Sequence, residues 1–156
     1  MTLTKIESGG LSSGKILQVV VAPFSTEVTT SSTSFVSLGS PAIEGTITPI
    51  STSSKILIRF TTSTYTNSSA HSSYVTLYRG TVASGTHLGE SSNGLARAFA
   101  SSGQTIHNVA FEVVDEPSTT SAQIYQVGFK ASSSSTVKYF VYNNIPAELI
   151  LMEIAG

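Results

Sequence analysis

The chain of 156 residues offers few side chains whose type and spacing could carry out chemistry. Acyl transfer needs a nucleophile, a base and an orienting carboxylate held together. The three histidines, His71, His87 and His107, lie in three separate segments, and no G-x-S-x-G nucleophile elbow accompanies the many serines. We therefore predict no catalytic residue here, and we expect each histidine to have a surface or loop role.

The carboxylates are equally scattered. A glycoside hydrolase needs two carboxylates facing across a cleft, and the sequence spacing selects no such pair. The candidates are Glu44, Glu90, Glu112 and Glu153. Asp115 and Glu116 are adjacent and precede Pro117, which we interpret as a solvated turn and not as a calcium site.

Metal and cofactor motifs are absent from the sequence. It has no cysteine, no H-E-x-x-H pair and no EF-hand loop, so we predict no metal site. Its glycines fit neither a P-loop nor a dinucleotide-binding fingerprint, so we predict no cofactor.

Composition excludes several further classes of protein. Charged residues make up 11% of the chain, the net charge is −1 and no basic run occurs, which argues against a nucleic-acid partner. No apolar run is long enough for a membrane span, and the N-terminus lacks the apolar core of a signal peptide, so we expect neither membrane insertion nor export. A hydrophobic content of 40% argues for a folded chain in spite of its many serines and threonines.

Short apolar or alternating runs recur about every ten residues and are separated by turn residues. They cover residues 15–22, 34–38, 43–48, 55–62, 74–78, 105–114, 123–130, 137–142 and 149–154. Between Gly80 and Gly103 we expect loops, one short strand near His87 and at most one helical turn over 95–100. The pattern predicts an all-β, antiparallel β-sandwich, jelly-roll-like, with nine or ten short strands.

Residues 55–60 show the expected two-residue period most clearly. Ile56, Ile58 and Phe60 should point into the core, and Leu57 and Arg59 should lie on the opposite face.

The first fourteen residues differ from the rest of the chain. Glycines supply joints, and Leu3, Ile6 and Leu11 supply apolar side chains without forming a core. We predict that residues 1–14 are an attachment arm that contacts a neighbouring chain, and that residues 15–156 form a single β-sandwich domain.

Tyrosines near polar turns are the best candidates for a binding surface, because the chain has no tryptophan. Tyr65 and Tyr74 flank a polar stretch that also contains Asn67 and His71, and we predict an exposed binding loop there. A second group, Tyr139 and Tyr142, lies near two asparagines. Tyrosines at strand ends are more often half-buried framework than binding platforms, and that alternative stays open.

Six segments of the sequence, taken together and in their order along the chain, resemble a β-rich structural module of tailed bacteriophages. They are GKILQVV (14–20), TSSTSFV (30–36), ITPISTSSKILI (47–58), VTLYRG (75–80), TTSAQIYQVGFKA (119–131) and LILMEIAG (149–156). The module is found at the ends of tail-fibre-like proteins and as a free-standing virion protein.

The resemblance implies a non-enzymatic virion protein, made in the host cytoplasm and displayed on the virion surface. A short chain without a fibrous shaft favours a homotrimeric capsid decoration or cement protein bound to the major capsid protein or other virion proteins. The alternative is a tail-fibre tip or receptor-binding module that recognises host surface glycans. A small carbohydrate-active enzyme, which would need a cleft holding two carboxylates, is a third hypothesis.

Overall fold

A computed structural model describes residues 14–68, 70–135 and 137–156, which contain twelve β-strands. The strands are β1 (Ile16–Phe24), β2 (Val28–Thr30), β3 (Val36–Ser37), β4 (Glu44–Ile47), β5 (Lys55–Thr66), β6 (His71–Arg79), β7 (Thr86–His87), β8 (Ala96–Ala100), β9 (Thr105–Asp115), β10 (Gln123–Ala131), β11 (Lys138–Phe140) and β12 (Ala147–Ile154). The helical part of these described residues is a three-residue 3-10 turn at Tyr142–Asn144.

Each of four pairs of consecutive strands can be regarded as one interrupted strand: β1/β2, β3/β4, β7/β8 and β11/β12. In sheet A, β1 pairs with β12 and β2 pairs with β11, and both β12 and β11 pair with the same edge of β5. Likewise, β4 and β3 share one edge of β10, while β8 and β7 share one edge of β6. Merging each pair leaves eight strands, so the predicted nine or ten lies between the two ways of counting.

The eight strands form two antiparallel sheets in jelly-roll order. Sheet A contains β1/β2, β11/β12, β5 and β9, and sheet B contains β3/β4, β10, β6 and β7/β8. If the eight merged strands are numbered 1 to 8 along the chain, their order is 1-8-3-6 in sheet A and 2-7-4-5 in sheet B. This arrangement is produced by two interleaved Greek keys. The predicted fold class is therefore confirmed.

The core lies between the inner faces of the two sheets. Ile56, Ile58 and Phe60 of β5 are fully buried, as their two-residue period predicts, while Arg59 is exposed. Tyr125 and Phe129 of β10 face them from sheet B. The ring of Phe60 lies 6.3 Å from that of Phe129, edge to face.

One segment of the region between Gly80 and Gly103 differs from the prediction. Residues 95–100 were expected to form at most a helical turn, yet Ala96–Ala100 is strand β8 at the edge of sheet B. The reason is a two-residue period: Ala98 and Ala100 are buried, while Arg97 and Phe99 point outward. The expected strand near His87 is confirmed as β7.

A second correction concerns Asp115, which was expected in a solvated turn. Its carboxylate is buried and accepts two hydrogen bonds of 3.0 Å from Arg79 Nη1 and one of 2.7 Å from the Tyr125 hydroxyl. Asp115 ends β9 of sheet A, whereas Arg79 and Tyr125 belong to sheet B. This polar cluster therefore ties the two sheets together. Glu116 remains exposed and pairs with Lys55 at 2.8 Å.

The interior becomes polar at the end of β5. Thr64, Thr66, Ser73 and Lys138 are all buried there. Lys138 Nζ has no hydrogen-bond partner among the described residues, and burial lowers the pKa of this amine. The apolar core is therefore concentrated towards the other end of the sandwich.

Replacing Ile58 by Ala should lower the free energy of unfolding by about 2–5 kcal/mol, because it leaves a cavity between the sheets. Ile106→Ala is a matched control, because Ile106 points outward from β9 and is 54% exposed, and it should change stability by less than about 1 kcal/mol. Urea denaturation followed by circular dichroism measures both. Equal losses for the two variants would show that the register of β5 is wrong.

Candidate functional site

The four residues of the predicted binding loop lie around the connection between β5 and β6. Asn67 is exposed in that connection, and His71 begins β6 with Nδ1 3.4 Å from the Ser132 hydroxyl. Tyr65 points outward from sheet A, and Tyr74 points outward from sheet B. The structure therefore does not bring the two tyrosines together, because the chain crosses between sheets at this connection.

The three apolar residues of the predicted attachment arm, Leu3, Ile6 and Leu11, lie outside the described residues. The arm therefore stays a prediction, and so does the division of the chain at residue 14. The described chain begins beside the last strand, where Gly14 N–H donates to the Ala155 carbonyl over 2.9 Å.

Tyr65 belongs to a cluster of three tyrosines on the outer face of sheet A. Its ring stacks on Tyr142 with 4.5 Å between centroids and lies 5.4 Å from Tyr139. Burial, followed by the neighbouring Tyr142 and Tyr139, raises the pKa of the Tyr65 phenol. All three rings are half-buried. They therefore resemble framework more than an open platform for a ligand.

The turn that carries Tyr142 is held from both sides. Val141 is buried in a left-handed conformation (φ 55°), which is rare for a β-branched residue, and its N–H donates to the Ser63 carbonyl over 3.0 Å. The Glu27 carboxylate accepts from Asn143 N–H, and the Asn144 side chain accepts from Glu27 N–H. These bonds fix the tyrosine cluster in place.

The outer face of sheet B carries a row of alternating aromatic and cationic side chains. Tyr74 pairs across the strands with Arg97 on β8 and with Lys130 on β10. Arg97 Cζ lies 5.6 Å and Lys130 Nζ 4.9 Å from the centre of the Tyr74 ring. Arg97 also lies 5.3 Å from the Phe99 ring, and Lys130 lies 4.8 Å from Phe35. We call these five residues the aromatic–cation row.

A second set of rings continues this face. His87 stacks on Tyr78 with 4.6 Å between centroids and a 14° interplanar angle, and it lies 5.4 Å from Phe35. His87 Nε2 is 2.6 Å from the Thr76 hydroxyl. Burial is the main cause that lowers the pKa of His87, with Glu90 acting against the shift and Lys130 reinforcing it.

The connection between β7 and β8 packs on the same face. Lys130 Nζ donates to the Ser92 carbonyl, and the Glu90 carboxylate accepts from Ser92 N–H and Asn93 N–H over 2.8 and 2.6 Å. Gly94 lies where a Cβ would come within 3.0 Å of the Phe35 ring. Part of the unpatterned region between Gly80 and Gly103 therefore borders the aromatic–cation row.

The outer face of sheet A has a different character, since aliphatic side chains cross all four of its strands. Register places Val19, Met152, Leu57 and Val114 side by side, with Ile16 and Ile154 on one flank and Val21 and Ile150 on the other. Val19, Val21 and Val114 are each just over half exposed (52–53%). We call these eight residues the aliphatic face. It is bordered by the ion pairs Lys55–Glu116 and Arg59–Glu112.

The candidate carboxylates for glycoside hydrolysis are each engaged elsewhere. Glu44 accepts from Gln126, Glu112 pairs with Arg59, and buried Glu153 accepts from Ile50 N–H over 2.7 Å. No group of three or more histidine, aspartate or glutamate side chains that could hold a metal occurs in residues 14–68, 70–135 and 137–156. Within that part of the chain, no helix is both long and apolar enough to cross a membrane.

No protein-family model and no curated protein matches the sequence. Among solved structures, the chain is similar to VP2 of infectious bursal disease virus in its subviral particle, with 14% identity and a TM-score of 0.46. It is also similar to a mutant VP2 of the same virus in derived T=1 particles, with 10% identity and a TM-score of 0.45.

Both alignments cover 100% of this chain but only 42% and 41% of the VP2 chains, so the chain spans less than half of their length. Neither similarity bears on function.

Sequence reasoning found Tyr74 but missed its partners. Arg97 and Lys130 lie 23 and 56 positions further along the chain, and only the strand register brings them beside Tyr74. The alternation of Arg97 and Phe99 with small alanines was the available signal for β8. The aliphatic face consists of the outward-pointing side chains of β1, β5, β9 and β12. It can be recognised only when the pairing of these four strands is known.

Because the folded state lowers the pKa of His87 below its ordinary value of 6.5, the unfolded chain binds the proton more tightly. Neutral His87 therefore favours the folded state: its contribution to the free energy of unfolding is complete above pH 6.5 and is lost as the pH falls through the lowered pKa. We expect the His87→Gln variant to lose less stability than the wild type when the pH falls from about 7 to about 5. Urea unfolding at both pH values, with an NMR titration of His87, checks this. Identical pH dependence in the two proteins would contradict it.

Proposed function

We propose that this protein is a non-enzymatic structural protein of a virion, displayed on the surface as a trimeric capsid decoration or cement protein. The jelly roll is a fold shared by viral capsid and lectin domains, so it is compatible with this role without deciding it. The resemblance of the sequence to a structural module of tailed bacteriophages supports the same role. Partners would be two further copies of the chain and the major capsid protein or another virion protein.

The observation that carries the proposal is the aliphatic face. Contiguous apolar surface of this kind marks an interaction site more often than a free surface. The face has no charge at its centre, and Lys55 and Arg59 at its border are each paired with a glutamate. Exposed Glu148, two residues from Ile150 on β12, adds one bordering charge without an ion pair among the described residues. An apolar face with so little charge, on a chain of net charge −1, can meet a second copy without strong repulsion.

We therefore assign the aliphatic face to the contact between copies of this chain. In a closed threefold ring, this face of one protomer meets a different surface of the next, because cyclic trimers are built from heterologous contacts. A lysine placed in the contact would be buried without a partner and would disfavour assembly.

The double variant Val19→Lys/Val114→Lys should convert a trimer into a monomer while leaving the fold intact. Light scattering after gel filtration should give three times the 16.3 kDa chain mass for the wild type and the single-chain mass for the variant. Ile50→Lys is the matched control, because Ile50 is 67% exposed but lies outside the aliphatic face. A monomeric wild type, or a variant that still forms trimers, would count against this assignment.

Attachment to the particle is assigned to residues 1–14, the predicted arm. Deleting residues 1–13 should leave the sandwich folded, since β1 begins at Ile16, but should abolish binding to virions. Co-sedimentation of purified protein with particles lacking it measures this, with the full-length chain as reference. Unchanged binding by the truncated chain would show that the arm is not the anchor.

A second candidate function is a tail-fibre tip or receptor-binding module that recognises host surface carbohydrate. The aromatic–cation row favours it, because rings and unneutralised cations on an open sheet face suit a polar ligand with apolar patches. The predicted loop at Tyr65, Asn67, His71 and Tyr74 does not form one such surface. Tyr74 alone contributes to the row.

A further inference from the structure

The two cations of the aromatic–cation row are held without carboxylates. Arg97 and Lys130 make no ion pair with any described residue, whereas Lys55, Arg59 and Arg79 each have an acidic partner. Instead, Arg97 and Lys130 both lie against the Tyr74 ring, whose electron-rich face attracts cations. Their positive charge is therefore fixed in position without a direct ion pair.

Donor groups of both cations remain available to a ligand. Arg97 donates from Nε to the Ser72 hydroxyl over 2.8 Å, and its two terminal nitrogens have no hydrogen-bond partner among the described residues. That end of a guanidinium is the fork that binds a carboxylate through two parallel hydrogen bonds. The Lys130 ammonium group donates one hydrogen bond to the Ser92 carbonyl and has two further donor hydrogens.

The acidic groups of sheet B do not compete for these donors. The Glu44 carboxylate accepts from Gln126 Nε2 over 2.6 Å, and Glu90 accepts from the backbone of its own turn. Those turn hydrogen bonds outweigh burial and lower the pKa of Glu90, so it stays ionised and bound within its loop.

An apolar platform lies beside Arg97. Phe99 is 46% exposed, points outward from the edge strand β8 and lies two residues from Arg97 on the same face. Tyr74 is flanked by cations on both sides, so Phe99 is the ring of this row that offers open surface. A pyranose ring presents an apolar C–H face that can pack on such a ring while its polar groups bond at the side.

From this arrangement we propose that the aromatic–cation row binds an acidic saccharide. Arg97 receives the carboxylate of the sugar, Phe99 packs against the sugar ring, and Lys130, on the other side of Tyr74, receives a further polar or anionic group of the saccharide, while Tyr74 positions the two cations. This inference rests on the second candidate function, recognition of carbohydrate, and is independent of the role on the capsid.

Single-stranded nucleic acid would also use rings and cations, but the observations favour the saccharide. Nucleic-acid grooves follow the phosphate backbone with many basic groups, whereas this face offers two cations and one open ring. The chain as a whole carries a net charge of −1.

The test is an NMR titration of the full chain with trigalacturonic acid and with its methyl ester, which keeps the sugar rings but removes the charge. Sialyllactose and neutral lactose form a second pair, because a uronate and a sialate share the carboxylate. We expect saturable binding of an acid, weaker binding of its neutral counterpart, and shifts centred on β6, β8 and β10.

Variants identify the residues responsible. Arg97→Gln should weaken binding of the acid about tenfold or more, the effect of losing one charge-assisted hydrogen bond, and should affect the neutral sugar less. Lys130→Gln should weaken binding of the acid by a smaller factor, because Lys130 lies on the other side of Tyr74 from Arg97 and Phe99. Phe99→Ala should weaken both forms alike. Lys15→Gln removes an exposed cation far from the row and should leave affinity unchanged.

Three results would overturn the inference: no saturable binding of either acid, equal affinity for acid and neutral sugar, or unchanged affinity in Arg97→Gln. Tighter binding of a short oligothymidylate than of both acids would also overturn it, in favour of nucleic acid. Because these titrations use the isolated protein, their failure leaves the capsid role standing, and absence from the capsid leaves the titrations unaffected.

Discussion

The fold depends on burying one face of β5. This strand pairs with β9 from Ile56 to Thr66 on one edge and with β12 and β11 in succession on the other, so it fixes the register of sheet A. A slip of one residue would exchange Ile56, Ile58 and Phe60 for Leu57 and Arg59 and would place a charge between the sheets. Sheet B must present its own apolar side to the same inner face, which restricts which side of each of its strands can point inward.

Because the inner faces of the two sheets are buried against each other, the outer faces stay accessible for binding. The two outer faces differ in chemical character. Sheet A presents aliphatic side chains bordered by paired charges, which suits a contact with protein. Sheet B presents rings and two cations without carboxylate partners, which suits an anionic ligand with an apolar side. A small sandwich can therefore carry an assembly surface and a recognition surface on opposite sides without either disturbing the core.

Period-two alternation was sufficient to predict the sandwich, most of its strands and the inward set of β5, because these are local properties of the sequence. It failed where long-range pairing decides the outcome. Asp115 reads as part of a polar turn before Pro117, yet it is buried because Arg79 and Tyr125 reach it from the opposite sheet. Tyr65 and Tyr74 are nine positions apart but face opposite sides of the molecule, since the chain changes sheets between them.

We propose that this protein belongs to a virion surface and that copies of it cover the aliphatic face of sheet A. Electron cryomicroscopy of virions purified from cells in which the protein is produced during infection tests both parts at once. We expect trimers on the outside of the capsid, with Val19, Met152, Leu57 and Val114 covered by a neighbouring protomer. Absence of the protein from the virion, or a position at the tail with the aliphatic face open to solvent, would contradict the proposed role.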